Sequence, residues 1–263
     1  MGCITLLSDF GLMDASVASA KGILMQYTGT LPLVDISHSI EPFHLQQAAY
    51  ILASAYPNFP VGTVHIVLFD VFSEREPRML LCEKEGQYFI APDNGILSLA
   101  FSDNYDRVWN CMELGSEQVF KDWIHRTGEI ARQLQHSDAA SLNLPSCELK
   151  NAPVHWLPKL EGNALECHVI HVDRFENVVL NVTREQFEEL RGGRNFRIQF
   201  AREEINTINH HYSEKKEGEK LCRFNSTGYL EIAINRGNAG SLFGLRVRQK
   251  QHVIYNTIKI LFE

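Results

Sequence analysis

Apolar and polar positions along the chain change period several times, and each change marks an element. CITLLSD (3–9) is an apolar run closed by a carboxylate and reads as a buried strand. Behind it Val17, Lys21 and Leu24 recur at helical spacing, with Lys21 long enough to snorkel. LPLVDIS (31–37) is a second strand. Leu45, Ala48, Ala49 and Leu52 then fall at i, i+3, i+4 and i+7, which predicts an amphipathic helix over 43–55. GTVHIVLFD (62–70) is a third strand, and MLLCEKEGQYFIAPDNG (79–95) predicts a hairpin turning near Glu85 and Gly86. Helices follow at Leu97 to Phe101 and over 118–135. Such alternation predicts an α/β domain, residues 1–135, around a largely parallel sheet.

Periodicity is lost over 136–163, where small and polar residues mix with Pro145, Pro153 and Pro158; this segment reads as a linker or edge. From Leu165 the pattern shortens. LECHVIHVD, NVVLNVT, NFRIQF, INTINHHY, LCRFN, YLEIAIN and HVIYNTIKILF are β-type runs, so 164–263 reads as a smaller, mostly-β domain, a barrel or a sandwich. The charged run SEKKEGEK (213–220) reads as a solvated hairpin tip.

Composition narrows the classes of function. The 263 residues are 44% hydrophobic and 22% charged, enough for packed cores. A formal charge of -7 argues against nucleic acid or an anionic membrane as the main partner. No apolar run reaches the roughly 18–20 residues of a bilayer span. The start, MGCITLLSDFG, has no basic region to open a signal peptide, and Leu6 stands where myristoylation wants Ser or Thr. The six cysteines form no CxxC pair and suggest no zinc site, so a reducing, cytoplasmic setting is expected.

The candidate chemistry lies where apolar runs stop. Asp9, Asp35 and Asp70 each fall at a predicted strand end, and open α/β sheets gather ligands outside the carboxyl ends of their strands. One such residue would be a turn former; three at equivalent ends favour a pocket. Within HIVLFDVFSEREPR (65–78), Arg75 follows Asp70 closely, with Arg78 in reserve. An exposed ion pair of this kind would contribute under about 1 kcal/mol, whereas a site would turn both charges toward a ligand. Phe72 and Trp123 suit either ring stacking or the core.

Five segments, in order, resemble one family. SDFG (8–11) with Asp14, Val17 and Lys21-Gly22 is similar to its opening TDFG…D…V…KG, DISHSIEPF (35–43) to its DITH segment, and PDNGILS (92–98) to PDNGLLS. VDRFENVVLNV (172–182) is similar to VDRFGNxxTN, and FNSTGYLEIAINRGNAGSLFGL (224–245) to a closing glycine- and asparagine-rich signature. The family is that of the S-adenosylmethionine hydroxide adenosyltransferases, relatives of the fluorinating and chlorinating enzymes. The resemblance implies an N-terminal α/β domain, a C-terminal β domain and a homotrimer with sites between neighbouring subunits. It implies hydrolysis of S-adenosylmethionine to adenosine and methionine by attack of water or hydroxide on the ribose 5′ carbon, with no cofactor and no metal.

The same resemblance distributes roles. Asp9 would bind the ribose, since one carboxylate accepts both the 2′ and 3′ hydroxyls, unless it caps the following helix. Asp70 and Arg75 would flank the attacking water. The family loop is close to DPGVGSER, and DVFSER here is two residues shorter and lacks its glycines. A family His within FHGRD falls at Lys121 in VFKDWIHRTGE (119–129), with His125 about one helical turn on. Both could equally be solvated on a helix. Asp173 and Asn177 would hold the methionine ammonium and carboxylate or the ribose edge, beside Glu176 where the family has Gly. Ser226, Glu231, Ile234, Asn238 and Ala239 match the adenine-side segment, although RGN (236–238) is also a good turn by itself. Two other outcomes stay open: a relative that binds adenosine or S-adenosylmethionine without turnover, and halide as the nucleophile, which a carboxylate at the site disfavours.

Overall fold

The computed structural model describes residues 2–102, 104–113, 119–151, 157–247 and 258–263. It divides into two compact units, 1–152 and 153–263.

In the first unit β1 (Ile4–Ser8), α1 (Ser16–Thr28), β2 (Leu33–Ser37), α2 (Leu45–Ala55), β3 (Val64–Leu68), β4 (Arg78–Lys84), β5 (Gln87–Pro92), α3 (Ile96–Phe101), β6 (Arg107–Glu113) and α4 (Phe120–Leu134) follow in order. The six strands form one sheet in the order β2-β1-β3-β5-β4-β6. The first four are parallel, while β4 runs antiparallel to both β5 and β6, so the sheet is mixed. Central strands β1 and β3 are buried at every position, which is why they read as near-continuous apolar runs, interrupted by Thr5, Ser8 and His65. The turn between β4 and β5 is Glu85-Gly86, both at positive φ as a tight two-residue hairpin requires. Leu45, Ala48, Ala49 and Leu52 are all buried, and His44 caps their helix by accepting the Gln47 N–H. On the other face Leu24, Trp123, Ile124 and Ile130 share a core with Ile4, Leu6, Ile66 and Leu68. Within 136–151, Pro145 accepts from Asn110 of β6, and Lys150 donates its backbone N–H to Asp93.

The second unit holds β7 (Lys159–Glu161), β8 (Ala164–Cys167), β9 (Val169–Val172), β10 (Val178–Thr183), α5 (Arg184–Arg191), β11 (Phe196–Phe200), β12 (Glu203–Ile205), β13 (Lys220–Phe224), β14 (Tyr229–Ile234), α6 (Ala239–Phe243) and β15 (Ile258–Phe262). They form two antiparallel sheets, β13-β14-β10-β9 and β12-β11-β15-β8-β7. Alternate residues of both sheets, such as Val178, Leu180 and Val182 of β10 and Ile198 and Phe200 of β11, meet in one core around Phe187 of α5. The N-terminal part of the predicted last strand, 252–257, lies outside the described residues. Among the described residues no helix is long and apolar enough to cross a membrane.

Candidate active site

Parallel pairing of β2, β1, β3 and β5 brings their carboxyl ends to one edge of the first unit's sheet. The register Ser8↔Leu68 puts the residues that follow β1 and β3 side by side. Asp9 and Asp70 meet there: the Asp70 backbone N–H donates to Asp9 Oδ2 at 3.4 Å. Burial pushes the Asp9 carboxyl above the usual carboxylate range, and the Asp70 charge adds to this, while N–H donors oppose it. Asp70 itself has φ 45°, in the left-handed region, which costs a residue with a Cβ about 1–2 kcal/mol. Its preceding carbonyl, Phe69 O, accepts a hydrogen bond of 2.9 Å from Asn94 Nδ2, just past β5.

Asp9 is not a helix cap. The carboxylate that holds the start of α1 is Asp14, which accepts the Ser16 N–H at 2.8 Å. The turn carrying Asp9 is instead fastened to the DISHS segment. Ser8 Oγ lies 2.7 Å from His38 Nδ1, and the His38 carbonyl accepts the Gly11 N–H at 2.8 Å. His38 Nε2 is 3.1 Å from Asp35, whose other oxygen is 2.6 Å from Lys21 Nζ. Asp35 thus lies within β2, opposite Leu6 rather than at the strand's end, and serves this chain of contacts. Burial pushes its carboxyl up, but the bonds from Lys21 and His38 outweigh this and leave it below its ordinary value.

Arg75 is exposed in the loop between β3 and β4. Two ion pairs hold that loop's flanks: Glu74 with Lys150, and Arg78 with the nearly buried Asp93. The reserve candidate Arg78 is therefore committed to Asp93. Lys121 and His125 separate along α4. Phe120 packs edge-on against Phe10 (ring centroids 5.2 Å apart), so the start of α4 lies beside the Asp9 turn, where Lys121 lines a groove with Asp14, Ser16 and Ser19. His125 faces the later part of α1 and bonds the Tyr27 hydroxyl at 2.9 Å. Trp123 is wholly buried in the core, and Phe72 is half exposed.

In the second unit, Asp173 and Asn177 bracket the tight turn between β9 and β10. The Asp173 carboxylate accepts the backbone N–H groups of Phe175 (2.9 Å) and Asn177 (2.8 Å) and the Asn177 side-chain amide (3.0 Å). Glu176 occupies the turn's left-handed position at φ 61°, where Gly would sit without a Cβ penalty. Its carboxylate accepts the Ser241 N–H of α6 at 2.7 Å, and hydrogen bonds from the Ser241 hydroxyl and from that N–H draw it below its ordinary range. The turn thereby adjoins Ala239 (buried), Asn238 (exposed) and, by the register Val178↔Ile232, the Ile234 end of β14. Ser226 is exposed in the turn before β14, at the strand's far end, held by Asn225 Oδ1 bonds to Thr227 and Tyr229. A six-residue strand separates the two groups by roughly 17 Å.

Glu231 lies between them, almost buried, in one row with Val179, His171 and Arg223. It accepts the Tyr212 hydroxyl at 2.7 Å, and Arg223 lies over the Tyr212 ring at 4.6 Å. Burial raises its carboxyl; burial and the Glu231 bond push the Tyr212 hydroxyl up to about 12. Among the described residues no group of three or more His, Cys, Asp or Glu side chains could hold a metal ion.

Sequence reading missed Ser8, His38, Asp93, Asn94 and Tyr212. SDFG, DISHS and PDNG carry the signal for Ser8, His38, Asp93 and Asn94; nothing local marks Tyr212, whose partner lies 19 residues away.

Comparison with known proteins shows the family. Residues 4–135 match the SAM hydroxide adenosyltransferase N-terminal domain and residues 167–252 its C-terminal domain. Relatives include the (R)-S-adenosyl-L-methionine hydrolase of Methanocaldococcus jannaschii, 26% identical over 96% of this chain and 95% of that protein. The enzyme of the same name from Thermus thermophilus is 29% identical over 92% of this chain and 96% of its own length. An uncharacterized conserved protein from Thermotoga maritima shares the fold, with a TM-score of 0.81 at 24% identity, covering 98% of this chain and 99% of that one. The chain belongs to the SAM hydroxide adenosyltransferase family.

Proposed function

We propose that this protein hydrolyses S-adenosylmethionine to adenosine and methionine, water or hydroxide attacking the ribose 5′ carbon. The observation that carries the reading is the adjacency of Asp9 and Asp70 at the carboxyl edge of the parallel strands, within a chain whose full-length relatives are named as hydrolases of this substrate. The sulfonium leaves as a neutral thioether, so the protein's task is to orient the nucleoside and strip the nucleophile of bulk water. Asp9 accepts the ribose hydroxyls. Asp70 orients the water, and Arg75 lowers the cost of hydroxide character. Lys121 adds positive charge at the edge of the same turn, whereas His125 is spent on Tyr27. No cofactor or metal enters the proposed step.

The groups contributed by the second unit suit an extended substrate. Asn177, Asn238, Ile234 and Ala239 lie at one end of β14 and Ser226 at the other, so nucleoside and methionine portions would lie along the strand. Asp173 shapes the turn that presents Asn177, and Glu231 supports the strand through Tyr212. The site is proposed to close between subunits of a homotrimer. In support, Leu12, Met13, Phe43, Phe72 and Val119 are exposed on loops at the carboxyl edge of the first unit, and Phe175 and Leu242 are exposed in the second. A cytoplasmic setting fits six cysteines that are all free.

The exposure of Arg75, in a loop shorter than the family's and without its glycines, favours a second reading: nucleoside binding without turnover. Incubation with S-adenosylmethionine followed by chromatography separates the two. Adenosine and methionine in equal amounts above the no-enzyme rate support hydrolysis, with Asp70→Asn and Arg75→Ala each slowing it by on the order of 10²-fold. Tight binding with no product supports the binder, and turnover untouched by both substitutions removes these residues from the mechanism.

A further inference from the structure

The peptide unit between Phe69 and Asp70 is gripped at both ends. Its carbonyl accepts Asn94 Nδ2–H at 2.9 Å, and its N–H donates to Asp9 Oδ2 at 3.4 Å. The two grips come from the strands on either side of β3: Asn94 follows β5, and Asp9 follows β1. Asn94 is fixed in turn, because its Oδ1 accepts the Ile96 N–H at 3.2 Å, which leaves the Nδ2 face for Phe69. Next door, Asp93 joins Arg78 and the backbone of Lys150, so the loop bearing Asn94 is anchored independently of Asp70. The residue after the clamped peptide is Asp70, at φ 45°. A side chain with a Cβ stays in the left-handed region only where its surroundings over-determine it, and such strain gathers at functional positions.

We infer that Asn94 is a positioning residue for hydrolysis: by holding the Phe69 carbonyl it keeps Asp70 in the left-handed conformation that aims its carboxylate at the attacking water. The inference rests on the hydrolase reading. Asp9 then has two tasks, one oxygen steadying the Asp70 N–H while the carboxylate receives the ribose, so that substrate binding and nucleophile orientation share one group. Loss of the Asn94 donor would leave the Asp70 turn free to relax toward negative φ. The nucleoside contacts would remain, and the water would be misplaced. A misplacement of about 1 Å is enough to lose on the order of 10²-fold in rate.

The test uses Asn94→Ala, which removes the donor without adding charge, and Asn94→Asp, which keeps the acceptor for Ile96 and loses the donor to Phe69. Expected for both is a kcat lower by on the order of 10²-fold with KM within about threefold of the parent, the signature of an interaction made in the transition state. The melting temperature should stay near that of the parent, whereas a merely structural role would lower it and leave kcat of the folded fraction intact. A crystal structure of Asn94→Ala should show Asp70 outside the left-handed region. Parental kcat in both variants, or Asp70 still at its original φ without the amide, would overturn the inference. If the parent protein binds nucleoside but turns over nothing, the hydrolase reading fails instead, and the Asp70 conformation still decides whether Asn94 holds the turn.

Discussion

Acidification should weaken the first unit through one residue, His65. Its ring is fully buried between Thr5 Oγ1, 2.7 Å from Nδ1, and Gln87 Oε1, 2.8 Å from Nε2, and it stacks on Phe89 at 4.6 Å. A carbonyl at Nε2 fixes the proton there, leaving Nδ1 to accept the Thr5 hydroxyl, so the ring is satisfied as the neutral form. Burial pushes its pKa down from 6.5 to about 4 despite the Gln87 bond. A histidine depressed in the folded state binds its proton more readily when unfolded; stability is therefore full above pH 6.5 and falls as pH drops toward 4. Linkage over that window gives a loss of about 2 kcal/mol at pH 5 and about 3 kcal/mol at pH 4 from this group alone. Other groups titrate too, so the measurement is a difference: urea unfolding of the parent and of His65→Gln at several pH values, followed by tryptophan fluorescence. Trp109 and Trp123 sit in the core of the same unit. The variant loses packing at every pH, but only the parent carries the proton-linked loss. Its advantage should shrink by about 2 kcal/mol between pH 7.5 and pH 5. A gap constant with pH would refute the reasoning.

Further outcomes follow from individual contacts. Lys121→Ala should lower kcat/KM by about tenfold if its charge serves the site. His125→Phe should cost about 1 kcal/mol of stability, from the lost Tyr27 bond, with turnover within about twofold; kinetics and thermal melts on the pair distinguish the roles, and the reverse pattern would return the function to His125. Glu176→Gly should melt a few degrees above Glu176→Ala, because both lose the bond to Ser241 and only Gly relieves the positive φ. Equal melting temperatures would mean the turn is not strained there.

How much of this was legible in the chain depends on the range of the interaction concerned. The helix at Leu45–Ala55 and the Glu85-Gly86 hairpin follow from local period and turn chemistry, and the structure contains both. RVWNCME alternates weakly between charged ends and does not read as a strand; it becomes β6 through pairing with β4. The sheet is mixed because β4 runs antiparallel to both β5 and β6. α5 was overlooked although Thr183 and Gln186 form a capping box at its start. Asp9 and Asp70 were legible as strand ends because parallel strands share an edge. Their direct contact, the Ser8–His38 bond and the Asn94 grip were not, since each joins residues brought together only by sheet order. Asp35 shows the opposite error: an Asp after an apolar run resembles a strand end, yet it lies inside an edge strand.

The central claim is that water, directed by Asp70, attacks the 5′ carbon of the nucleoside. Turnover of S-adenosylmethionine in oxygen-18 water tests it most directly, with mass spectrometry of both products. The account predicts adenosine carrying one heavy oxygen on its 5′ hydroxyl and unlabelled methionine. Unlabelled adenosine, or label in the methionine portion, would contradict it.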